Sequence, residues 1–137
     1  MRDRIKQVII FREDLLPQPT GKIAAQIAHC AMLFILRKIV PYKINEADYP
    51  GYDLLTAVEF SEEEKYWLTT SFTKVVLRCN NLAHLVELGE KALAAGLEVH
   101  SLCDTGFVAG ERVITCLAIS PAFSSKVDNI TGGLKLL

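Results

Sequence analysis

The segment IKQVIIF, residues 5–11, is a run of mostly β-branched residues close to the start of the chain. Such a run predicts a buried β-strand. Prolines at positions 17 and 19 interrupt regular structure after it, and TGKIAAQIAHC, residues 20–30, then has the composition of a helix. We predict that this helix runs from about Lys22 to Lys38 with Thr20 as its N-cap. A strand followed directly by a helix favours an α/β fold.

The rest of the chain continues this alternation. Three more strands are predicted, over TKVVLRC (73–79), LEVHSLC (97–103) and VITCLAIS (113–120). Between and around them we predict a short helix after Ser61, a helix over 82–95 between Asn81 and Gly96, and a last short helix opened by Pro121. This order predicts a three-layer α/β/α sandwich around a four-stranded mixed sheet, with the third and fourth strands antiparallel. We expect one domain over residues 1–137, with an irregular excursion at about 39–66.

Composition limits the possible partners and compartments. The 15 basic and 16 acidic residues give a net charge of −1, so any surface for a phosphate backbone must be a local patch. No window approaches about 18 uninterrupted apolar residues, and the N-terminal apolar run is too short for a secretory signal. We therefore expect a cytoplasmic protein that uses no membrane. The four cysteines are widely spaced and form no CxxC pair, so we expect reduced thiols and no structural zinc.

Lys22 is an unusual residue for the first turn of a helix. The N-terminus of a helix already carries partial positive charge, so a cation there is mildly repelled unless an anion is bound. Free N–H groups together with an ammonium group predict a site for a phosphate, a carboxylate or a developing oxyanion. The segment is not a P-loop, because Leu16 stands where that motif needs glycine and Ile23 follows Lys22 where it needs a hydroxyl.

The first helix carries a narrow polar stripe on an otherwise apolar surface. Apolar residues cover nearly all other positions, so we predict a helix buried on more than one side, against the sheet and also beneath the excursion or a second subunit, with Ala24, Ala28 and Ala31 packed against protein. The stripe itself is either a solvent face or part of a site, and the pattern gives the two about even weight. Its members are Lys22, Gln26, His29, Leu33 and Arg37.

Asp104 follows the third predicted strand. Ligands of α/β proteins bind at the carboxyl ends of strands, and Lys22 also comes one loop after a strand, so both side chains fit one edge of the sheet. The alternative is that Asp104 only starts a turn before Gly106, as aspartate often does. Patterning leaves both interpretations open.

Four segments together resemble a known family. GKIAAQIAH, TKVVLRC, AGLEVHSLCDTG and ITCLAISPAFSSKVDNITGGLKLL are similar to the archaeal and eukaryotic type of peptidyl-tRNA hydrolase, over residues 5–38 and 67–137. The resemblance implies hydrolysis of the ester joining a peptide to the terminal ribose of tRNA. It also implies a homodimer and chemistry that needs no metal or other cofactor, with neither DNA nor a membrane as partner.

The resemblance also implies roles for particular residues. Lys22 and Asp104 match the catalytic lysine and aspartate, where Asp104 would orient or deprotonate a water and Lys22 would stabilise an oxyanion. The positions expected to bind substrate are Gly21, Gln26, His29, Thr105 and Gly106. Two departures from the family pattern D-x-G-x-T follow Gly106: Phe107 stands where a basic residue is usual, and Val108 replaces the threonine.

Two other functions fit the same residues. The chain could be a non-catalytic relative that binds RNA or a protein, or a hydrolase of a smaller ester or amide that uses the same Lys/Asp pair. A basic track leading to Lys22 would favour tRNA as the substrate, and an enclosed neutral pocket would favour a small substrate. The lack of any pocket would favour a binding protein.

Overall fold

The computed structural model describes residues 3–39 and 58–137. Four strands form one sheet in the order β2-β1-β4-β3. β1 is parallel to β2 and antiparallel to β4, and β3 is antiparallel to β4. The predicted mixed sheet, with antiparallel third and fourth strands, is confirmed. The strands are β1 (Ile5–Arg12), β2 (Lys74–Cys79), β3 (Val99–Asp104) and β4 (Val113–Phe123).

Helices cover both faces of the sheet. α1 packs on one face, while α3 and α4 pack on the other, so the predicted three-layer α/β/α arrangement is confirmed. None of the described helices is long and apolar enough to cross a membrane. Most of the predicted excursion at 39–66 lies outside the described residues. The helices are α1 (Thr20–Ile39), α2 (Glu62–Tyr66, extended by a π-helical turn, Trp67–Ser71), α3 (Leu82–Ala94) and α4 (Ser124–Thr131), and a 3₁₀ turn (Glu13–Leu15) follows β1.

The centre of the core is β1. Val8 and Ile10 face α3 and α4, whereas Ile9 and Phe11 face α1, and all four side chains are fully buried. A strand covered on both faces needs apolar residues at successive positions rather than alternate ones. This explains the continuous apolar run from which the strand was predicted.

Local signals set most element boundaries correctly. Asn81 caps α3 by accepting the His84 N–H at 2.9 Å, and Ser61 forms a capping box with Glu64. The predicted helix start at Pro121 is wrong, because β4 continues to Phe123. The register with β1 shifts at this point, and Pro121 lies in the resulting bulge, where its missing N–H costs no ladder hydrogen bond.

The predicted start of α1 is also wrong. The helix begins at Thr20 itself, and the carbonyl of Pro19 accepts the N–H groups of Lys22 and Ile23. In the described part of a single chain the sheet covers the face that carries Gln26, Cys30 and Phe34, and burial of the other face beneath the excursion or a second subunit stays a prediction. The opposite face is exposed in the described part of a single chain because no other described element lies over it. Its exposed residues are Ala24, Ala25, Ala28, Met32 and Leu36.

Candidate active site

The predicted site residues lie at one edge of the sheet. β1 and β3 are both antiparallel to β4, so they run parallel to each other and end at the same edge. α1 follows β1 and places Lys22 in its first turn, while Asp104 is the last residue of β3. A loop, residues 105–112, leads from Asp104 to β4.

Two donors hold the carboxylate of Asp104. The main-chain N–H of Gly106 donates to Oδ1 at 2.6 Å, and Nε2 of Gln26 donates to Oδ2 at 2.5 Å. The Gly106 N–H lowers the pKa of Asp104 most, the Gln26 bond lowers it further, and the nearby His29 adds a smaller effect. Hydrogen bonds to the charged form favour that form, so Asp104 is ionised at neutral pH.

Gln26 is buried and both ends of its amide are used. While Nε2 binds Asp104, Oε1 accepts the hydroxyl hydrogen of Thr115 at 2.6 Å. Gln26 is 4% exposed and Thr115 is fully buried. The resemblance implies that Gln26 binds substrate, and the structure shows that its amide connects Asp104 to Thr115 on β4.

Thr115 is the part of the site that the sequence did not indicate. Leu117 and Ile119 face α3, so strict alternation along β4 would turn Thr115 to the same side. The register of β4 with β3 shifts between Leu102 and Cys103, which leaves Thr115 unpaired in a bulge. A bulge re-aims side chains, and this one turns Thr115 toward α1 and Gln26.

Lys22 lies against the loop rather than against the aspartate. Its Nζ donates to the main-chain carbonyl of Phe107 at 2.9 Å and is 5.2 Å from the centre of the Phe107 ring. Among the described residues Lys22 forms no ion pair, with Asp104 or with any other carboxylate. Its side chain is exposed, as predicted, and so are Gly21, His29 and Thr105. A Cβ added to Gly21 would meet no atom within 4 Å, which leaves the approach to Lys22 open.

The polar stripe of α1 is a contact surface with β3. Further along α1 than Gln26, Leu33 packs with the apolar cluster on the α1 side of the sheet. Arg37 donates to the Ser101 carbonyl at 2.9 Å, and its other terminal nitrogen lies 2.8 Å from Nδ1 of His100. The solvent-face interpretation is therefore wrong for Gln26 and Leu33, whereas Arg37 contacts β3 and still remains exposed.

Comparison with known proteins identifies the family. The model of the family described as peptidyl-tRNA hydrolase PTH2 matches residues 5–137. The chain belongs to this family. Two archaeal proteins named peptidyl-tRNA hydrolase are similar over nearly their whole length. That of Sulfolobus acidocaldarius is 36% identical, over 97% of this chain and 100% of the relative. That of Methanopyrus kandleri is 35% identical, over 96% of this chain and 97% of the relative.

A more distant likeness concerns the fold alone. The solved structure of a protein of unknown function from Agrobacterium tumefaciens strain C58 matches with a TM-score of 0.52 at 17% identity. The match covers 100% of this chain and 99% of that one.

The loop after Asp104 is where this PTH2 family member departs from the family pattern. Phe107 stands where the family resemblance expects a basic residue, but its side chain is 3% exposed and packs in the core. Val108, at the place of the motif threonine, packs against the same apolar cluster. Apolar contacts therefore hold this loop. Among the described residues, no group of three His, Cys, Asp or Glu side chains is placed to hold a metal ion.

Proposed function

We propose that this PTH2 family member hydrolyses the ester bond between a peptide and the 3′ end of tRNA, with Lys22 and Asp104 as its catalytic residues. The observation that carries the assignment is that one short loop binds both groups. The N–H of Gly106 holds the Asp104 carboxylate, and the carbonyl of the next residue, Phe107, accepts a hydrogen bond from Lys22.

The two groups have complementary roles in ester hydrolysis. A water molecule attacks the carbonyl carbon of the ester, and the bond from that carbon to the ribose oxygen then breaks. One proton of the water passes to the ribose oxygen, and the peptide leaves as a carboxylic acid. Asp104 accepts a hydrogen bond from the water and orients it, while Lys22 donates to the oxyanion that forms at the attacked carbonyl.

The surroundings of Asp104 favour orientation of the water over removal of its proton. The pKa of this carboxyl is lowered, first by the Gly106 N–H and then by Gln26. A carboxylate with a lowered pKa is a weaker base, although it remains a strong hydrogen-bond acceptor at neutral pH. We therefore assign Gln26 to the positioning of Asp104, and the exposed residues Gly21, His29 and Thr105 to contact with substrate.

Release of labelled peptide from a model peptidyl-tRNA by the purified protein tests this function. The same peptide esterified to a small alcohol serves as the comparison substrate. Turnover of the tRNA ester supports the proposal, and turnover of the small ester alone would identify a hydrolase of smaller substrates. Binding of tRNA without any turnover would identify a non-catalytic relative.

The same proposal includes a homodimer built on the outer face of α1. This face carries Met32 and Leu36, which are 51% and 42% exposed. It borders a shallow apolar depression of about 640 Å³ that reaches Val76 and Leu137. Contiguous exposed apolar surface of this kind is typical of interfaces, and two-fold symmetry is the commonest arrangement of identical chains. The proposed compartment is the cytoplasm, which suits four cysteines that form no disulfide.

A further inference from the structure

The loop after β3 contacts both proposed catalytic side chains through its main chain. The N–H of Gly106 donates to Asp104, and the carbonyl of Phe107 accepts from Lys22. Main-chain groups have no rotamers of their own, so the positions of these two partners depend on where the loop lies. Near the other end of the loop Gly110 has φ of +78° and open space around its Cα, and the Glu111 N–H donates to the Val108 carbonyl at 3.0 Å.

The side chain of Phe107 fastens the loop to the core. Its ring lies edge-on to the ring of Phe11, with 5.9 Å between the ring centres. The ring belongs to the buried cluster that also contains Cys30 and Cys116. Aromatic pairs in this geometry add stabilisation beyond the area they bury.

The ring also lies beside the Lys22 ammonium, 5.2 Å from Nζ. Lysine has a flexible four-carbon side chain with a compact charge, and unrestrained it occupies many rotamers. A carbonyl acceptor and an aromatic face together restrict where the ammonium lies. Catalytic donors act best when they are held in place before the reaction begins.

From these contacts we infer that Phe107 is a positioning residue for both Lys22 and Asp104. Its buried ring fixes the loop, its carbonyl orients the ammonium, and the neighbouring Gly106 N–H orients the carboxylate. The expected effect of Phe107 on catalysis rests on the proposed function. The placement of the Lys22 and Asp104 side chains by Phe107 rests on the observed geometry alone.

The test compares Phe107→Leu with a matched control, Phe34→Leu. Phe34 is as deeply buried as Phe107, but it packs with Ile5 and Trp67 at a distance from the loop. Both variants exchange a buried phenyl ring for a smaller apolar side chain, so both should lower the melting temperature. Phe107→Ala is added as the stronger change at the same position.

Two measurements separate positioning from stability: steady-state kinetics on peptidyl-tRNA, and hydrogen exchange of the Gly106 amide. We expect Phe107→Leu to lower kcat with little change in KM, and Phe107→Ala to lower kcat by up to about 10²-fold, as small misplacements of catalytic groups do. The Gly106 amide should lose protection in both variants, because its bond to Asp104 depends on the loop. Phe34→Leu should change neither quantity.

Each other outcome is decisive. If Phe107→Ala keeps the kcat of the parent and the parent's protection of the Gly106 amide from hydrogen exchange, the inference is overturned. So would equal losses of kcat in the Phe107 and Phe34 variants, because these would reflect stability alone. If the parent has no turnover but Gly106 loses protection in the Phe107 variants alone, the proposed function fails and the placement of Asp104 by Phe107 stands.

Discussion

Thr115 donates its hydroxyl hydrogen to Oε1 of Gln26, and this bond completes the amide orientation that the Asp104 carboxylate requires. An amide can present either a donor or an acceptor, and the carboxylate of Asp104 needs a donor. With Oε1 occupied by Thr115, the NH₂ group points to Asp104. A residue on β4 thereby supports a hydrogen bond that stabilises the charged form of Asp104 on β3.

Thr115→Val should lower kcat while leaving the fold intact. Valine keeps the shape of threonine but cannot donate, so the buried Oε1 of Gln26 loses its partner. An unsatisfied buried acceptor costs about 1–3 kcal/mol of unfolding free energy, and loss of one positioning bond corresponds to roughly tenfold in rate. Thr115→Ser retains the hydroxyl and should retain most of the activity. Steady-state kinetics and melting temperatures of both variants check this prediction. Equal activity of Thr115→Val and Thr115→Ser would contradict a positioning role for the Thr115 hydroxyl.

Lys22→Ala should lower kcat by on the order of 10²–10³, the usual cost of removing one donor from an oxyanion site. The fold should be unaffected, because the Lys22 side chain is exposed. Lys65→Ala is the matched control, since Lys65 is also an exposed helical lysine and, within the described part of the chain, pairs only with the surface carboxylate of Glu62. His29→Ala should cost less than Lys22→Ala if His29 contacts substrate without taking part in the chemistry. Parent-like turnover of the Lys22 variant would show that the oxyanion donor lies elsewhere.

The fold could be predicted because its signals are local. A β1 buried on both faces has a continuous apolar run, and Asn81, Ser61 and Gly96 mark helix ends by their own backbone preferences. Pro121 misled the prediction, because a proline that usually opens a helix here lies in a β-bulge. Whether a bulge forms depends on the neighbouring strand, and that information is not local.

The difference between local and non-local information also explains which site residues could be predicted from the sequence. Lys22 and Asp104 stand out because each is a charged residue at an element end, where the pattern alone raises a question. Thr115 does not, since a threonine within a strand is ordinary, and Phe107 stands out only by the basic residue that it replaces, not by any sign of where its ring lies. Their contacts depend on the register of β4 with β3 and on the depth at which the loop packs, and only the folded chain determines these.

Ala28→Glu should convert the proposed dimer to a monomer. Ala28 is exposed near the middle of the apolar face of α1, and a buried glutamate without a partner is strongly unfavourable at an interface. Light scattering after size-exclusion chromatography gives the mass directly. Ala83→Glu, on the exposed surface of α3, is the matched control and should leave the mass unchanged. A monomeric parent, or a dimeric Ala28→Glu variant, would contradict an interface on α1.

The pH dependence of kcat/KM should show whether Asp104 acts as an ionised group. The Gly106 N–H and Gln26 hold the pKa of Asp104 below its ordinary value in the folded enzyme. The carboxylate therefore stays charged until the pH falls through that lower pKa, and activity that depends on its charge should persist down to at least about pH 4. Thr115→Val weakens the Gln26 bond, so it should move the acid limb to higher pH. A parent limb between about pH 6 and 7 would contradict control of the reaction by the Asp104 carboxylate, because that limb would lie well above the pKa of this group.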